Sequence, residues 1–254
     1  MTMNQNWEDI YKKRASFTIR RIMLHIPSLD LTGKYVLDIG CWWGWFMRYA
    51  QDHGALVSGF DIEKSRIADA IEFLHDSKGL CVAGVEQMPY KTGTFDIAFS
   101  NHVMEHVQSD VVMLCEINRI LTKNGTFILA VPNDFSISVL PFRPFRWFLK
   151  HKSKFLKKYH KYDWLKSITH SDIEHYKEYT RKSLRTLLEA NHFKVISIKS
   201  YGLELPYPIR GRLNKTICTL INWFLGPFIP PFFRCEFIVH AEKIGMINYE
   251  DIIQ

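Results

Sequence analysis

The stretch Val36-Leu-Asp-Ile-Gly-Cys-Trp-Trp-Gly-Trp-Phe46 constrains this chain more than any other. Val36 to Ile39 is an apolar run with one acid, Asp38, near its end. Gly40 and Gly44 then bracket a tight turn, and helix-compatible residues follow from Trp45. Strand, glycine turn and helix in that order build a site where backbone comes close to a ligand. A second apolar run closes on Ser58-Gly-Phe-Asp61, which puts a carboxylate 21 residues past Gly40. An acid about 20 residues beyond such a turn suits a ribose diol, because a carboxylate accepts both hydroxyl protons.

The turn does not suit a dinucleotide. A G-x-G-x-x-G loop lets a pyrophosphate rest on a helix N-terminus, whereas position 42 here is Trp. A cofactor with a ribose and no phosphate fits better. Taken alone, the turn is equally compatible with a plain strand–turn–helix.

Short apolar strands alternate with helical spacing along most of the chain. The pattern predicts an N-terminal helix over Trp7–Ile26 and strands at Tyr35–Ile39, Leu56–Phe60, Gly79–Val82, Phe95–Ser100 and Thr126–Val131. Helices are predicted at Trp45–His53, Ser65–Leu74 and Val103–Leu121. The alternation breaks after Asn133 and resumes with a helix over Thr180–Ala190, capped by Thr180, and a strand at Phe193–Ser200. It breaks again until a last strand at Glu236–Ala241. This order implies a parallel sheet covered on both faces. The organisation is one domain, 1–254, with insertions at 134–178 and 201–234.

The motifs together resemble the class I S-adenosylmethionine-dependent methyltransferases, of the "methyltransferase type 11" kind. Asp38, Gly40, Cys41 and Gly44 match the family's D-x-G-C-G-x-G, with Trp42 in place of its middle glycine. Val85-Glu-Gln-Met-Pro-Tyr90 with Phe95-Asp-Ile-Ala-Phe-Ser100, Val103-Met-Glu-His-Val107 and Gly125-Thr-Phe-Ile-Leu-Ala-Val-Pro-Asn133 match further segments in order. His175-Tyr-Lys-Glu-Tyr-Thr180 with Leu184 and Leu187–Ala190 extends the match. The resemblance implies a Rossmann-like α/β three-layer sandwich with a seven-stranded, mostly parallel sheet, and S-adenosylmethionine as cofactor. It places Asp38 at the methionine ammonium, with the loop Gly40–Gly44 passing under the methionine end. Asp61 would lie at the ribose, with Ile62 after it as a further cofactor-binding residue, Val85 and Glu86 along the adenine edge, and Asn101 beside the methyl group. Many relatives carry an Asp just before Val85, where this chain has Gly84.

The sulfonium already makes the methyl group electrophilic, so the protein must orient a nucleophile and exclude water. A hydroxyl acceptor would be helped by a general base, and His is suited to that by its pKa. His102, after the fourth strand, and His175, before the returning helix, are the catalytic candidates. His106 reads as a buried helical residue and His170 as a solvated one. Asn101 matches the N-P-P-Y of amino-methylating nucleic-acid enzymes, but His102, Val103 and Met104 do not, which argues against methylation of a base amine.

Net charge is +7. Residues 141–166 hold nine Lys or Arg against one acid, Asp163. Phe145, Phe148, Leu149, Phe155, Leu156 and Tyr159 fall on one helical stripe, with most of the cations off it. Such a helix suits an anionic membrane face. The run Ile217–Phe233 is apolar, but Gly226 and three prolines break it, so it reads as a dipping hairpin or a substrate lid rather than a span. The expectation is O-methylation of a small-molecule or lipid-linked acceptor, such as a lipid, quinone or lipid-linked glycan, by a cytoplasmic protein held peripherally at the inner membrane face. A soluble small-molecule methyltransferase with a lid, an RNA methyltransferase and a non-catalytic binding module are the alternatives. Nucleic acid ranks lower because the aromatics continue into aliphatics. The five cysteines are scattered, no signal peptide is apparent, and no metal site is expected.

Overall fold

A computed structural model describes residues 11, 16–26, 29–133, 177, 179–201 and 236–247. Seven strands form one sheet in the order β3-β2-β1-β4-β5-β7-β6. They are β1 (Tyr35–Ile39), β2 (Leu56–Asp61), β3 (Leu80–Val82), β4 (Phe95–Asn101), β5 (Leu121–Pro132), β6 (Phe193–Tyr201) and β7 (Glu236–Lys243). The first five pair in parallel, and β7 runs antiparallel between β5 and β6. The described helices are α1 (Ser16–Leu24), α2 (Trp45–Asp52), α3 (Lys64–Leu74), α4 (Asp110–Ile120) and α5 (Arg181–Ala190).

The central strands are apolar on both faces because both faces are covered. Leu37, Ile39, Ala98, Phe127, Leu129 and Val239 pack toward α4 and α5. Val36, Ile97, Phe99, Ile128 and Ala130 pack toward α1 and α2. This two-residue alternation within continuous apolar runs is what a doubly covered sheet demands. Phe46 of α2 stacks on Phe99 of β4 with ring centroids 3.7 Å apart. Gly59 of β2 lets α2 lie close: a Cβ there would stand 2.5 Å from the Met47 sulfur.

Strand positions follow the hydrophobic pattern to within one or two residues, except that β5 starts earlier. It begins at Leu121, ahead of the Asn124-Gly125 bend, with a register shift against β4. One helix also differs. Helical spacing from Val103 predicts an early start, yet α4 begins at Asp110, where the Ser109 hydroxyl accepts from the Val112 N–H at 3.3 Å. Residues 103–106 form a turn instead, with the His106 N–H on the Val103 carbonyl at 2.9 Å. Met104 and Val107 are buried in that turn, so apolar spacing continues through it without a helix. The cap expected at Thr180 is present, with a reciprocal Ser183 bond. The helix Ser16–Leu24 falls inside the N-terminal helix expected over Trp7–Ile26, whose residues 7–10 and 12–15 lie outside the described residues, as do nearly all of the insertion 134–178 and the insertion 201–234 beyond Tyr201.

Candidate functional site

The carboxyl ends of β1, β2 and β4 bring the glycine turn, Asp61 and Asn101 to one edge. The turn leaves β1 at Gly40, whose φ is +68°, and closes with the Gly44 N–H on the Cys41 carbonyl at 2.7 Å. Gly44, with φ +74°, precedes α2. Glycine is required at position 40 twice over. Its φ is left-handed, and a Cβ there would meet Val103 Cγ2 at 2.5 Å. Trp42 also adopts a left-handed φ, 48°, a conformation that a bulky residue holds only under constraint. The constraints are visible. Its N–H donates to Asp61 Oδ2 at 3.2 Å, its ring stacks on Trp43 at 4.5 Å, and the Arg66 guanidinium lies 5.6 Å from its centroid. Trp43 in turn donates to Asp69 of α3 at 3.1 Å.

Asp61 is the buried end of β2. Besides Trp42, it accepts from the Glu63 N–H at 3.0 Å, and Arg66 stands 3.8 Å away. Asp38 is buried on the neighbouring strand. Burial first, and Asp61 second, push its pKa up to about 8, against a hydrogen bond from the Met47 backbone. Burial likewise raises the Cys41 thiol, which makes that side chain an inert wall. Ile62 is exposed just past Asp61, Val85 is buried and Glu86 is exposed. The turn carrying Val85 and Glu86 is held from α4. The Met88 N–H donates to Glu116 at 2.8 Å, and Arg119 donates to the Tyr90 carbonyl at 2.7 Å and the Met88 carbonyl at 3.0 Å.

β4 pairs with β1 up to Ser100 and Ile39, so Asn101 lies beside Gly40 at the edge. The Asn101 Oδ1 is buried and has no hydrogen-bond partner. His102 follows with φ 55°, its N–H on the Ala130 carbonyl of β5 at 2.9 Å. Its Nδ1 stands 3.0 Å from Glu105 Oε1, and its Nε2 stands 3.5 Å from Glu236 Oε1. Glu236 opens β7, opposite Pro132 of β5 and Tyr201 of β6. Burial opposes charge on the His102 ring, but the two carboxylates outweigh it and push the pKa up to about 10. The ring therefore carries its proton at neutral pH, a different setting from the free base that the sequence led us to expect. Glu105 is fully buried, and its second oxygen has no partner. His175 lies outside the described residues.

Sequence reasoning gave no role to Glu105 or Glu236. Glu105 stood inside a quoted motif, but its tie to His102 needs the turn at 103–106. Glu236 has no local signature and reaches the site only through the β5–β7 register. A groove of about 640 Å³ lined by Arg20, Met23, Tyr49 and His53, among others, contains none of these site residues. Among the described residues no cluster of metal-ligating side chains is present.

Residues 37–129 match a family model described as a methyltransferase domain. A tRNA U34 carboxymethyltransferase of Colwellia psychrerythraea is 36% identical over 121 residues, 46% of this chain and 37% of that protein. A malonyl-[acyl-carrier protein] O-methyltransferase of Pectobacterium atrosepticum is 31% identical over 120 residues, 47% of this chain and 46% of that protein. The chain thus spans less than half the length of these two curated relatives. Two solved structures share the fold. One is an S-adenosylmethionine-dependent methyltransferase from Mesorhizobium loti, with TM-score 0.60 at 15% identity, covering 92% of this chain and 100% of that one. The other is a SAM-dependent methyltransferase from Archaeoglobus fulgidus, with TM-score 0.59 at 16% identity, covering 95% and 100%. Residues 37–129 thus carry a methyltransferase domain by similarity, and the fold is the one seen in S-adenosylmethionine-dependent methyltransferases.

Proposed function

We propose that the chain transfers the methyl group of S-adenosylmethionine to an oxygen nucleophile at the edge between β4 and β7. The observation that carries this is the pairing, on one strand edge, of the Asp61 carboxylate with the unpartnered buried Asn101 oxygen. A carboxylate has about four acceptor positions. The Trp42 and Glu63 N–H groups use two of those on Asp61, which leaves capacity for a ribose diol. Asn101 Oδ1 and Asp38 offer acceptors to an ammonium group. The turn Gly40, Cys41 and Gly44 supplies backbone, and Ile62, Val85 and Glu86 supply a half-apolar rim for a purine. No phosphate cradle is needed for such a ligand, and Trp42 fills the place where one would begin. These residues fit the cofactor.

When bound, S-adenosylmethionine supplies an electrophilic methyl on a positive sulfur. The chain's own work is to hold and orient. Asp61 fixes the ribose end, Asn101 and Asp38 fix the amino-acid end, and His102 faces the acceptor. His175 is the second candidate on the acceptor side. The acceptor class read from the sequence, a lipid, quinone or lipid-linked glycan at an anionic inner membrane face, rests on the cationic and apolar insertions alone. Among the described residues no helix is long and apolar enough to cross a membrane. The two relatives act, by name, on a tRNA and on a carrier-bound malonyl group, so macromolecule-borne acceptors compete with that class.

Calorimetry with S-adenosylmethionine tests the cofactor. Incubation of cell extract with methyl-labelled cofactor, followed by identification of the labelled product, tests the transfer. Absence of cofactor binding sinks the reading. Co-sedimentation with phosphatidylserine vesicles, lost at high salt, is the result expected for the membrane face; no sedimentation removes that part.

A further inference from the structure

We infer that the acceptor is a carboxylate, bound by His102 in the position that Glu236 holds, so that the product is a methyl ester. The inference rests on the methyl-transfer reading above and names its substrate class. Its basis is the asymmetry of the His102 ring. On one side, Nδ1 meets Glu105 Oε1 at 3.0 Å, and Glu105 is fully buried. That bond is permanent, because breaking it would strand a buried charge. On the other side, Nε2 meets Glu236 Oε1 at 3.5 Å, with the His102 and Glu236 side chains 37% and 26% exposed. That contact is longer and both side chains keep some exposure, so it is the weaker and more exchangeable of the two. The permanent partner keeps the ring charged and turns Nε2–H outward. The exchangeable one marks what the ring prefers to hold, a carboxylate oxygen.

The location fits the reaction. The His102 N–H is tied to Ala130 of β5, and the preceding residue, Asn101, lies at the end of β4 beside Gly40. An acid held on Nε2 therefore lies at the cofactor edge. The left-handed φ of His102, 55°, is a strained conformation of the kind kept where a side chain must be aimed. Chemistry also selects the class. A hydroxyl acceptor must lose a proton on transfer, and an imidazolium cannot take one. A carboxylate is already ionised at neutral pH. Its oxygen gains the bond to the methyl carbon, the carbon–sulfur electron pair stays with sulfur, and no proton leaves the acceptor. Positive charge at His102 meets negative charge on the acceptor, and Glu236 acts as a place-holder on Nε2 between turnovers.

The test uses the full chain and cell extract with methyl-labelled S-adenosylmethionine, and treats the labelled product with cold alkali. Release of the label as methanol is expected, because esters hydrolyse and ethers or methylamines do not. An alkali-stable label overturns the carboxylate assignment and leaves methyl transfer standing. Binding of the cofactor with no transfer to any extract component retires methyl transfer, and this inference with it.

Two variants sharpen the result once a labelled acceptor is in hand. His102→Gln should raise the acceptor KM about tenfold, the loss of one charge-assisted hydrogen bond, with cofactor affinity by calorimetry unchanged. Glu236→Gln should lower KM severalfold, since the competing charge is gone. A higher KM in Glu236→Gln would make Glu236 a base or an acceptor ligand, and would overturn the exchange. That second variant decides the matter even if His102→Gln fails to fold around Glu105.

Discussion

Two pairs of carboxylates lie on the same sheet edge, on either side of the β1–β4 junction, and they are neutralised in different ways. On the β1–β2 side, Asp38 and Asp61 are both buried, and Asp38 is held toward its protonated form, with a pKa of about 8. On the β4–β7 side, Glu105 and Glu236 are bridged by one imidazolium. A proton can be traded for a cationic ligand, whereas a ring fixed by a buried carboxylate cannot. One half of the edge can thus receive positive charge, as the proposed sulfonium ligand would bring. The other is built to present it. The two halves meet at Gly40, which a single added carbon would drive into Val103 of the 103–106 turn.

That meeting point gives the largest expected effect. Gly40→Ala adds left-handed strain to a 2.5 Å clash with Val103. Strain and overpacking together cost about 3 kcal/mol, which lowers Tm by about 6–12 °C in a chain of this size. Cofactor binding and the His102 ring environment should change together. A thermal scan that moves by less than about 2 °C would mean that the two halves do not lean on each other. The next effect isolates one half. Asp61→Ala should weaken S-adenosylmethionine binding by about 30-fold, the worth of charge-assisted bonds at about 2 kcal/mol. It should leave the His102 nitrogen resonances in place. Unchanged affinity in calorimetry would remove the ribose role of Asp61.

The β1–β2 half was far more legible in the sequence than the β4–β7 half, for a physical reason. Gly40, Gly44 and Asp61 are specified by local needs, a left-handed turn and a strand end, and these leave fixed spacings along the chain. The strands were legible because burial on both faces forces continuous apolar runs. His102 was visible as a residue past a strand, but its charge state was not. That state depends on Glu105, which required knowing that residues 103–106 turn rather than coil into α4. It depends also on Glu236, which arrives through an antiparallel register that no local pattern encodes. Trp42 showed the converse. The sequence marked it as a departure from the glycine pattern, but only the fold shows its ring stacked on Trp43 with the Arg66 guanidinium nearby.

The pH dependence of stability tests the difference in neutralisation directly. Asp38 has a folded pKa of about 8, against about 4 in an unfolded chain. Between those values the folded protein binds a proton that the unfolded chain has lost, so stability must fall as pH rises. The contribution is complete below about pH 4 and is gone once pH passes the folded value near 8, with a slope of at most about 1.4 kcal/mol per pH unit. Asp38→Asn should remove that slope, and denaturant unfolding at several pH values between 5 and 8 measures it. Saturating S-adenosylmethionine should flatten the slope of the unaltered protein as well, since an ammonium beside Asp38 favours the ionised form. Calorimetry in buffers of different ionisation enthalpy should then read proton release on binding near pH 7, and none in the variant. If the two proteins unfold with the same pH slope, Asp38 is already ionised in the fold. Both halves of the edge would then carry fixed charge, and the division between a side that receives cations and a side that presents one would fail.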